Sequence, residues 1–170
     1  MKTLYLLRHA KSSWDDPTLG DHERPLNARG RDDATQMARV IATLTPPPEL
    51  VLCSTSKRTR QTLKLATKHM TPPPVEYRER LYLASMQTLL ATIQGIDDWQ
   101  QSVMLVGHND GFHDIACLLA GSGSPDALQR LFQKLPTCAL VHFNFDQPKW
   151  HSIAPGTAKV PGKFASCLRS

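Results

Sequence analysis

The sequence predicts an α/β fold, a three-layer sandwich whose central sheet is mostly parallel with an antiparallel edge. Three observations carry this. Strand-like and helix-like segments alternate along the chain, the order that builds parallel sheets covered by helices on both faces. The apolar runs Lys2–Leu7, Leu50–Cys53 and Val103–Val106 are short and nearly continuous, as expected of strands buried on both sides. Near the C-terminus, Leu140–Phe145 and Trp150–Ile153 flank Asp146-Gln147-Pro148, which reads as an antiparallel hairpin at the sheet edge.

The elements follow in order. After the first strand, residues 8–25 are polar and broken by Pro17 and Gly20, a long loop of the kind that usually carries function. Asn27 is an N-cap for a helix reaching about Leu44, with Ala34, Met37, Ile41 and Leu44 at helical spacing. Pro46-Pro47-Pro48 ends it, and the second strand follows. Ser54-Thr55-Ser56 offers cap hydroxyls to a helix from Lys57 to about Met70. A second proline triplet, Pro72-Pro73-Pro74, leads into a short strand, Val75–Tyr77. Helices are expected at residues 86–94, Phe112–Ala120 and Pro125–Leu131. Residues 156–170 read as a C-terminal tail on a single domain spanning 1–170.

Composition narrows the function classes. A chain of 170 residues with 41% apolar and 21% charged residues is a globular domain rather than a disordered one. No apolar run approaches a membrane span, and Arg8 and His9 interrupt the first residues too early for a signal peptide. Cys53, Cys117, Cys138 and Cys167 stand far apart with no metal-ligand spacing, so reduced thiols in a cytoplasmic protein are expected. The net charge of +5 is uneven. Lys57, Arg58, Arg60, Lys64 and Lys68 fall in one acid-free stretch, and Lys149, Lys159, Lys163 and Arg169 follow the last acid. An anionic partner is implied.

In open α/β sheets, ligands gather beyond the carboxyl ends of the strands. That rim here collects Arg8-His9 after the first strand, Ser54 and Arg58 after the second, and Gly107-His108-Asn109 after Val103–Val106. Singly these are weak signals. Two arginines, two histidines and a helix N-terminus on one rim suit phosphoryl transfer, because guanidinium forks and helix amides bind phosphate oxygens. A neutral imidazole can attack phosphorus, and surrounding cations keep it neutral. The arginines and the second histidine can stabilise the charge, so no metal and no cofactor is required.

Leu6-Leu7-Arg8-His9-Ala10-Lys11-Ser12 resembles the RHG signature of the histidine phosphatase superfamily, with Ala10 in place of the usual Gly. The run Ser54 to Thr62, with Arg58, Gln61 and Thr62, resembles its second motif. Val106-Gly107-His108-Asn109-Asp110-Gly111 resembles its GHNPG turn, with Asp110 replacing Pro. The motifs occur in family order over residues 4 to about 120. Arg8–Trp14, then Arg24-Pro25-Leu26-Asn27 and Arg29-Gly30, look like the small SixA-type branch, the phosphohistidine phosphatases.

The resemblance implies a phosphoglycerate mutase-like fold and a set of roles. His9 is the implied nucleophile, and Arg8 and Arg58 grip the phosphoryl oxygens. His108 donates a hydrogen bond to the group in flight, and Ser12 lies near the phosphate. Glu79, in Arg78-Glu79-Arg80, resembles the segment that supplies a general acid to ester-cleaving relatives, or it is a surface ion pair between two arginines. The implied partner is a phosphohistidine-bearing protein or a small phosphorylated substrate. The alternatives are an ester phosphatase using Glu79 and a phosphoprotein-binding module without turnover. Nucleic acid is disfavoured by an aromatic content of 6% with no basic–aromatic interleaving.

Among the remaining residues, Asp15 is expected to orient an arginine rather than meet phosphate. Trp14 is expected to wall the pocket, and Lys57, Arg60, Lys64 and Lys68 to form a solvated basic face beside the site. His113 and Asp114 lie just past His108, but four residues between His108 and His113 do not align two ligands on one helical face, so no metal site is expected.

Overall fold

The computed structural model describes residues 1–162. Seven strands form one sheet: β1 (Lys2–Arg8), β2 (Leu50–Ser54), β3 (Val75–Arg78), β4 (Ser102–Gly107), β5 (Ala120–Gly123), β6 (Leu140–Phe145) and β7 (Ala158–Val160). Their spatial order is β3-β2-β4-β1-β6-β7-β5. The block β3-β2-β4-β1 is parallel, and β6 alone runs against its neighbours β1 and β7. The expected mostly parallel sandwich is therefore the fold, with antiparallel pairing confined to one side.

Alternating residues of the buried strands serve opposite faces. Leu4, Leu6, Leu52, Val103 and Leu105 join one apolar cluster, while Tyr5, Leu7, Val51, Met104 and Val106 join the other. The first cluster is closed by α3 (Met86–Gln94), α4 (Gly111–Leu119) and α5 (Pro125–Gln133), the second by α1 (Ala28–Ile41) and α2 (Lys57–Ala66). These ten strand residues are fully buried, and each large one contributes about 1.5–3 kcal/mol relative to exposure. Both faces are apolar because both are covered.

Four helices start on the expected kind of residue. Asn27, Ser56, Ser85 and Ser124 each accept a hydrogen bond from the backbone N–H three residues on, satisfying one of the orphan amides of the first turn. Helices α1 and α2 stop at Ile41 and Ala66, short of Leu44 and Met70, because extended backbone must be reached before each proline triplet. A Cβ on Gly30 would sit 2.0 Å from the carbonyl oxygen of Lys11. Only glycine lets α1 pack this closely on the loop that follows His9.

The C-terminal region corrects the sequence reading. Trp150–Ser152 is a single 3₁₀ turn and not the second strand of a hairpin. The Trp150 indole N–H donates to the Gln100 carbonyl at 2.8 Å, and its backbone N–H to Asp98 Oδ1 at 2.9 Å. These bonds seat the buried ring against the end of the sheet, where no ladder is available. The outer partner of β6 is instead β7, which lies inside the segment expected to be a tail; residues 163–170 of that segment lie outside the described residues. Beyond it lies β5, whose Gly121 has room for no Cβ, since one would meet the Gly156 carbonyl oxygen at 1.9 Å.

Candidate active site

The carboxyl ends of β1, β2 and β4 converge because these three strands are adjacent and parallel. His9 leaves β1 with its backbone held on both sides: its N–H donates to Gly107 at 3.0 Å and its carbonyl accepts from Cys138 at 3.0 Å. The ring is 8% exposed. Its Nδ1 lies 2.7 Å from the Ala10 carbonyl oxygen, which can only accept, so Nδ1 carries the proton and Nε2 presents a lone pair. Burial pushes the His9 pKa down to about 4 against the pull of the Ala10 carbonyl, with Arg58, Arg8 and Arg24 lowering it further. At neutral pH the imidazole is uncharged.

His108 follows β4 and is 2% exposed. Its ring centroid is 5.3 Å from that of His9. Nε2 is 2.8 Å from the Ser54 hydroxyl, at the end of β2. Nδ1 is buried and has no hydrogen-bond partner among the described residues. Either ring tautomer can make the bond to Ser54, and in both Nδ1 is left an unsatisfied buried polar atom. Burial lowers the His108 pKa to about 3, helped by His9 and Arg58 and opposed by Asp21.

Two arginines complete the cluster. Arg8 donates through Nη1 to the Leu135 carbonyl at 2.9 Å, while its buried Nε has no partner among the described residues. Arg58 stands in the first turn of α2, 3% exposed. Its Nη1 donates to the Asp21 carbonyl at 2.6 Å and its Nη2 to the Asp21 carboxylate at 2.9 Å. Helix α2 is tied to the nucleophile loop by Thr62, whose hydroxyl accepts from Ala10 N–H at 3.0 Å.

Asp21 is the residue that sequence reasoning passed over. Its carboxylate accepts from Arg58, from Arg24 at 2.9 Å and from the Tyr82 hydroxyl. Although partial burial opposes ionisation, the bonds from Tyr82, Arg58 and Arg24 hold its pKa at about 2. The expectation that Asp15 orients an arginine is thus corrected to Asp21; Asp15 itself is exposed, and the chain needs the 3₁₀ turn Asp21–Glu23 to reach Arg58. A signal existed in Asp21-His22-Glu23-Arg24, an acid and a base one helical turn apart in a polar loop.

Arg24 organises the rest of that loop. It is 7% exposed and bonds the Ser13 carbonyl at 3.0 Å, Asp21 and the Ser12 hydroxyl. Ser12 is buried beside it, so its oxygen is committed to Arg24 in this state. Trp14 is 73% exposed and stacks on the Arg24 guanidinium, 3.3 Å from its ring centroid. Tyr82 links the loop to the histidines, its ring edge-on to His108 at 5.4 Å and to His22 at 4.8 Å.

Glu79 begins a 3₁₀ turn directly after β3 and is exposed. Register places Arg78 beside Ser54, so Glu79 lies at the same rim as the histidines. It is not the ion pair between flanking arginines, since Arg78 bonds Glu76 at 2.6 Å. No hydrogen bond or ion pair of its carboxylate is found among the described residues. His113 sits apart, donating to the Leu131 carbonyl at 2.8 Å. No group of three metal-ligating side chains occurs among the described residues.

Comparison with known proteins agrees with this arrangement. The family model of the histidine phosphatase superfamily (branch 1) matches residues 4–89. An uncharacterised protein of Mycobacterium leprae is 37% identical over 158 residues, 91% of this chain and 96% of its own length. An uncharacterised chloroplastic protein of Arabidopsis thaliana is 34% identical, covering 96% of this chain and 78% of its own. Among solved structures, a candidate phosphohistidine phosphatase SixA from Agrobacterium tumefaciens superposes with a TM-score of 0.74. It is 32% identical over 85% of this chain and 92% of that one. The protein histidine phosphatase SixA complexed with tungstate shares the fold at a TM-score of 0.75 and 20% identity, over 97% of each chain.

Proposed function

The chain belongs to the histidine phosphatase superfamily, branch 1, and from that premise we propose that it is a metal-independent phosphatase that forms a covalent phosphohistidine on His9 and releases phosphate from phosphohistidine in a partner protein. The observation that carries this is a neutral nucleophile beside an unused buried donor, Arg8 Nε, and an unsatisfied ring nitrogen of His108. His9 Nε2 is unprotonated, while Arg8 Nε and His108 Nδ1 have no partner among the described residues. Buried donors left unpaired are costly. An incoming phosphoryl group offers them acceptor oxygens.

In the proposed reaction, His9 Nε2 attacks phosphorus as the bond to the leaving nitrogen breaks. Arg8, Arg58 and His108 hold the equatorial oxygens, whose charge persists through the transfer. Arg58 exchanges part of its contact with Asp21 for a phosphoryl oxygen. Water then attacks phosphorus, breaking the bond to His9 and giving inorganic phosphate. A phosphoimidazole protonated on its other nitrogen leaves as neutral imidazole, so this substrate asks for no strong general acid. That fits a site at which the Glu79 carboxylate makes no hydrogen bond or ion pair among the described residues. The thiols of Cys53 and Cys117, unpaired in any disulfide among the described residues, support a reducing, cytoplasmic setting.

The test is incubation with an aryl phosphate and with a phosphohistidine-bearing protein, with and without chelator. The expected result is chelator-resistant turnover and an acid-labile, base-stable phosphoenzyme that is absent in His9→Ala. Full activity of His9→Ala overturns the mechanism. Aryl ester turnover vastly exceeding phosphohistidine turnover overturns the substrate.

A further inference from the structure

A groove on the protein lies apart from the catalytic cluster. It lies between α2 and β3 and encloses about 870 Å³. One wall carries Lys57, Arg60, Lys64 and Lys68, all exposed, against a single acid, Glu23, at the mouth. The floor is apolar, formed by Leu63, Val75 and the ring of Tyr77, over which the Arg60 guanidinium lies at 5.2 Å. The basic stretch read from the sequence is therefore not only a solvated face. It lines a cavity with an apolar base.

Among the described residues, strand β3 is the outermost strand of the sheet on that side. Val51 N–H donates to the Pro74 carbonyl at 2.9 Å, which fixes the ladder so that Val75 and Tyr77 turn their N–H and C=O groups away from β2. The groove thus offers backbone donors and acceptors, an apolar floor and a row of cations about 16 Å long from Lys57 to Lys68. A strand of about five residues spans that distance.

The groove is also continuous with the catalytic rim. His22 Nε2 is 2.9 Å from the Thr55 hydroxyl and its Nδ1 is 2.8 Å from Glu23, both groove residues. The His22 ring also packs at a steep angle on Tyr82, which packs on His108. We propose that this groove docks an acidic, extended segment of the phosphorylated partner protein, added as a strand along the free edge of β3 with its carboxylates facing the α2 cations. Charge complementarity selects an acidic partner, and the free edge selects an extended one. The phosphohistidine-protein reading above is the footing for the partner's identity, while the groove's binding chemistry stands on its own geometry.

The test uses two probes. A labelled synthetic peptide alternating Glu with Leu or Val is titrated at low salt, followed by fluorescence anisotropy. A second peptide carries a phosphohistidine ahead of the same acidic run and is compared with free phosphohistidine in turnover. The variant is Lys64→Glu/Lys68→Glu, at exposed positions outside the catalytic cluster, and its unchanged aryl phosphate turnover reports intact folding. Expected are binding weakened at least about tenfold in the variant and a similar kcat/KM advantage of the tailed substrate that the variant loses. Equal binding to wild type and variant overturns the proposal, as does equal binding of a peptide with its glutamates in one block, or displacement by a single-stranded oligonucleotide at the same concentration. If neither phosphohistidine substrate turns over while the aryl ester does, the substrate reading fails and the phosphoprotein partner with it. Anisotropy then still decides whether the groove takes an acidic strand.

Discussion

Asp21 holds Arg58 twice, by its backbone carbonyl at 2.6 Å and its carboxylate at 2.9 Å. The aspartate thereby positions the one arginine that the first turn of α2 brings to His9 and His108. A cation in a first turn opposes the helix dipole, so without an anion Arg58 has reason to swing away. The carboxylate supplies that anion until substrate arrives. It also gathers Arg24 and Tyr82, so three side chains from three segments share one acceptor.

Asp21→Asn keeps the backbone bond and removes the charge. The expected result is a fall in kcat of about 10–100-fold, the usual effect of losing an orienting partner, with phosphate inhibition unchanged or tighter because a competing anion is gone. Steady-state kinetics with phosphate as product inhibitor checks this. A rise in KM with unchanged kcat contradicts the positioning role.

Ser54 is the hydrogen-bond partner of the His108 ring among the described residues. Its hydroxyl lies 2.8 Å from Nε2 in a fully buried position. Ser54→Ala removes the bond that orients the ring and biases its tautomer, and kcat is expected to drop about tenfold with little change in KM. Nitrogen NMR of the imidazoles should show the tautomer shift. An unaltered His108 spectrum in the variant refutes the assignment.

The histidines also make the fold acid-sensitive. Unfolded, each titrates near 6.5; folded, burial places His9 near 4 and His108 near 3. The unfolded chain therefore binds protons that the folded chain excludes, so stability is full above about pH 6.5 and falls as pH drops toward 4 and 3. His9 alone costs on the order of 2 kcal/mol by pH 5. Asp21, depressed to about 2, adds its loss only below about pH 4. Thermal melts should decline from pH 6.5 downward, and His9→Asn should flatten that decline. A melting temperature constant from pH 7 to 4.5 is inconsistent with these values.

Gly30 joins the fold to the site. Gly30→Ala drives a Cβ against the Lys11 carbonyl, 2.0 Å away, which is backbone and cannot rotate aside. A loss of about 1–3 kcal/mol is expected, together with lowered activity, because Lys11 lies two residues past His9. Denaturant unfolding measures the first and aryl phosphate turnover the second.

What could be read in the sequence follows from how local its causes are. Strands β1, β2 and β4 were legible because burial on both faces leaves them apolar throughout, and the helix starts because Asn27 and Ser56 act within one turn. Strands β5 and β7 were not: Ala120-Gly121-Ser122-Gly123 has no pattern, and Gly121 answers to Gly156 and Gly123 to Val160, far along the chain. Trp150 alternates with polar residues like a strand, yet its bonds to Asp98 and Gln100 decide otherwise. Arg8, His9, Arg58 and His108 could be placed on one rim from strand order. Asp21 could not, since its partners Arg58 and Tyr82 lie 37 and 61 residues away.

Glu79 separates the two substrate classes. An alkoxide leaving group needs a proton as its bond to phosphorus breaks, whereas a protonated phosphoimidazole carries its own. The Glu79 carboxylate is at the rim, exposed and without a partner among the described residues. It can serve an ester only if substrate binding draws it inward. For phosphohistidine, Glu79→Gln is therefore expected to change kcat/KM by less than about threefold, while any alkyl phosphate turnover falls by at least about tenfold. An equal, large loss on both substrates would place Glu79 in the transfer step itself. The same loss would contradict a leaving group that departs without its help.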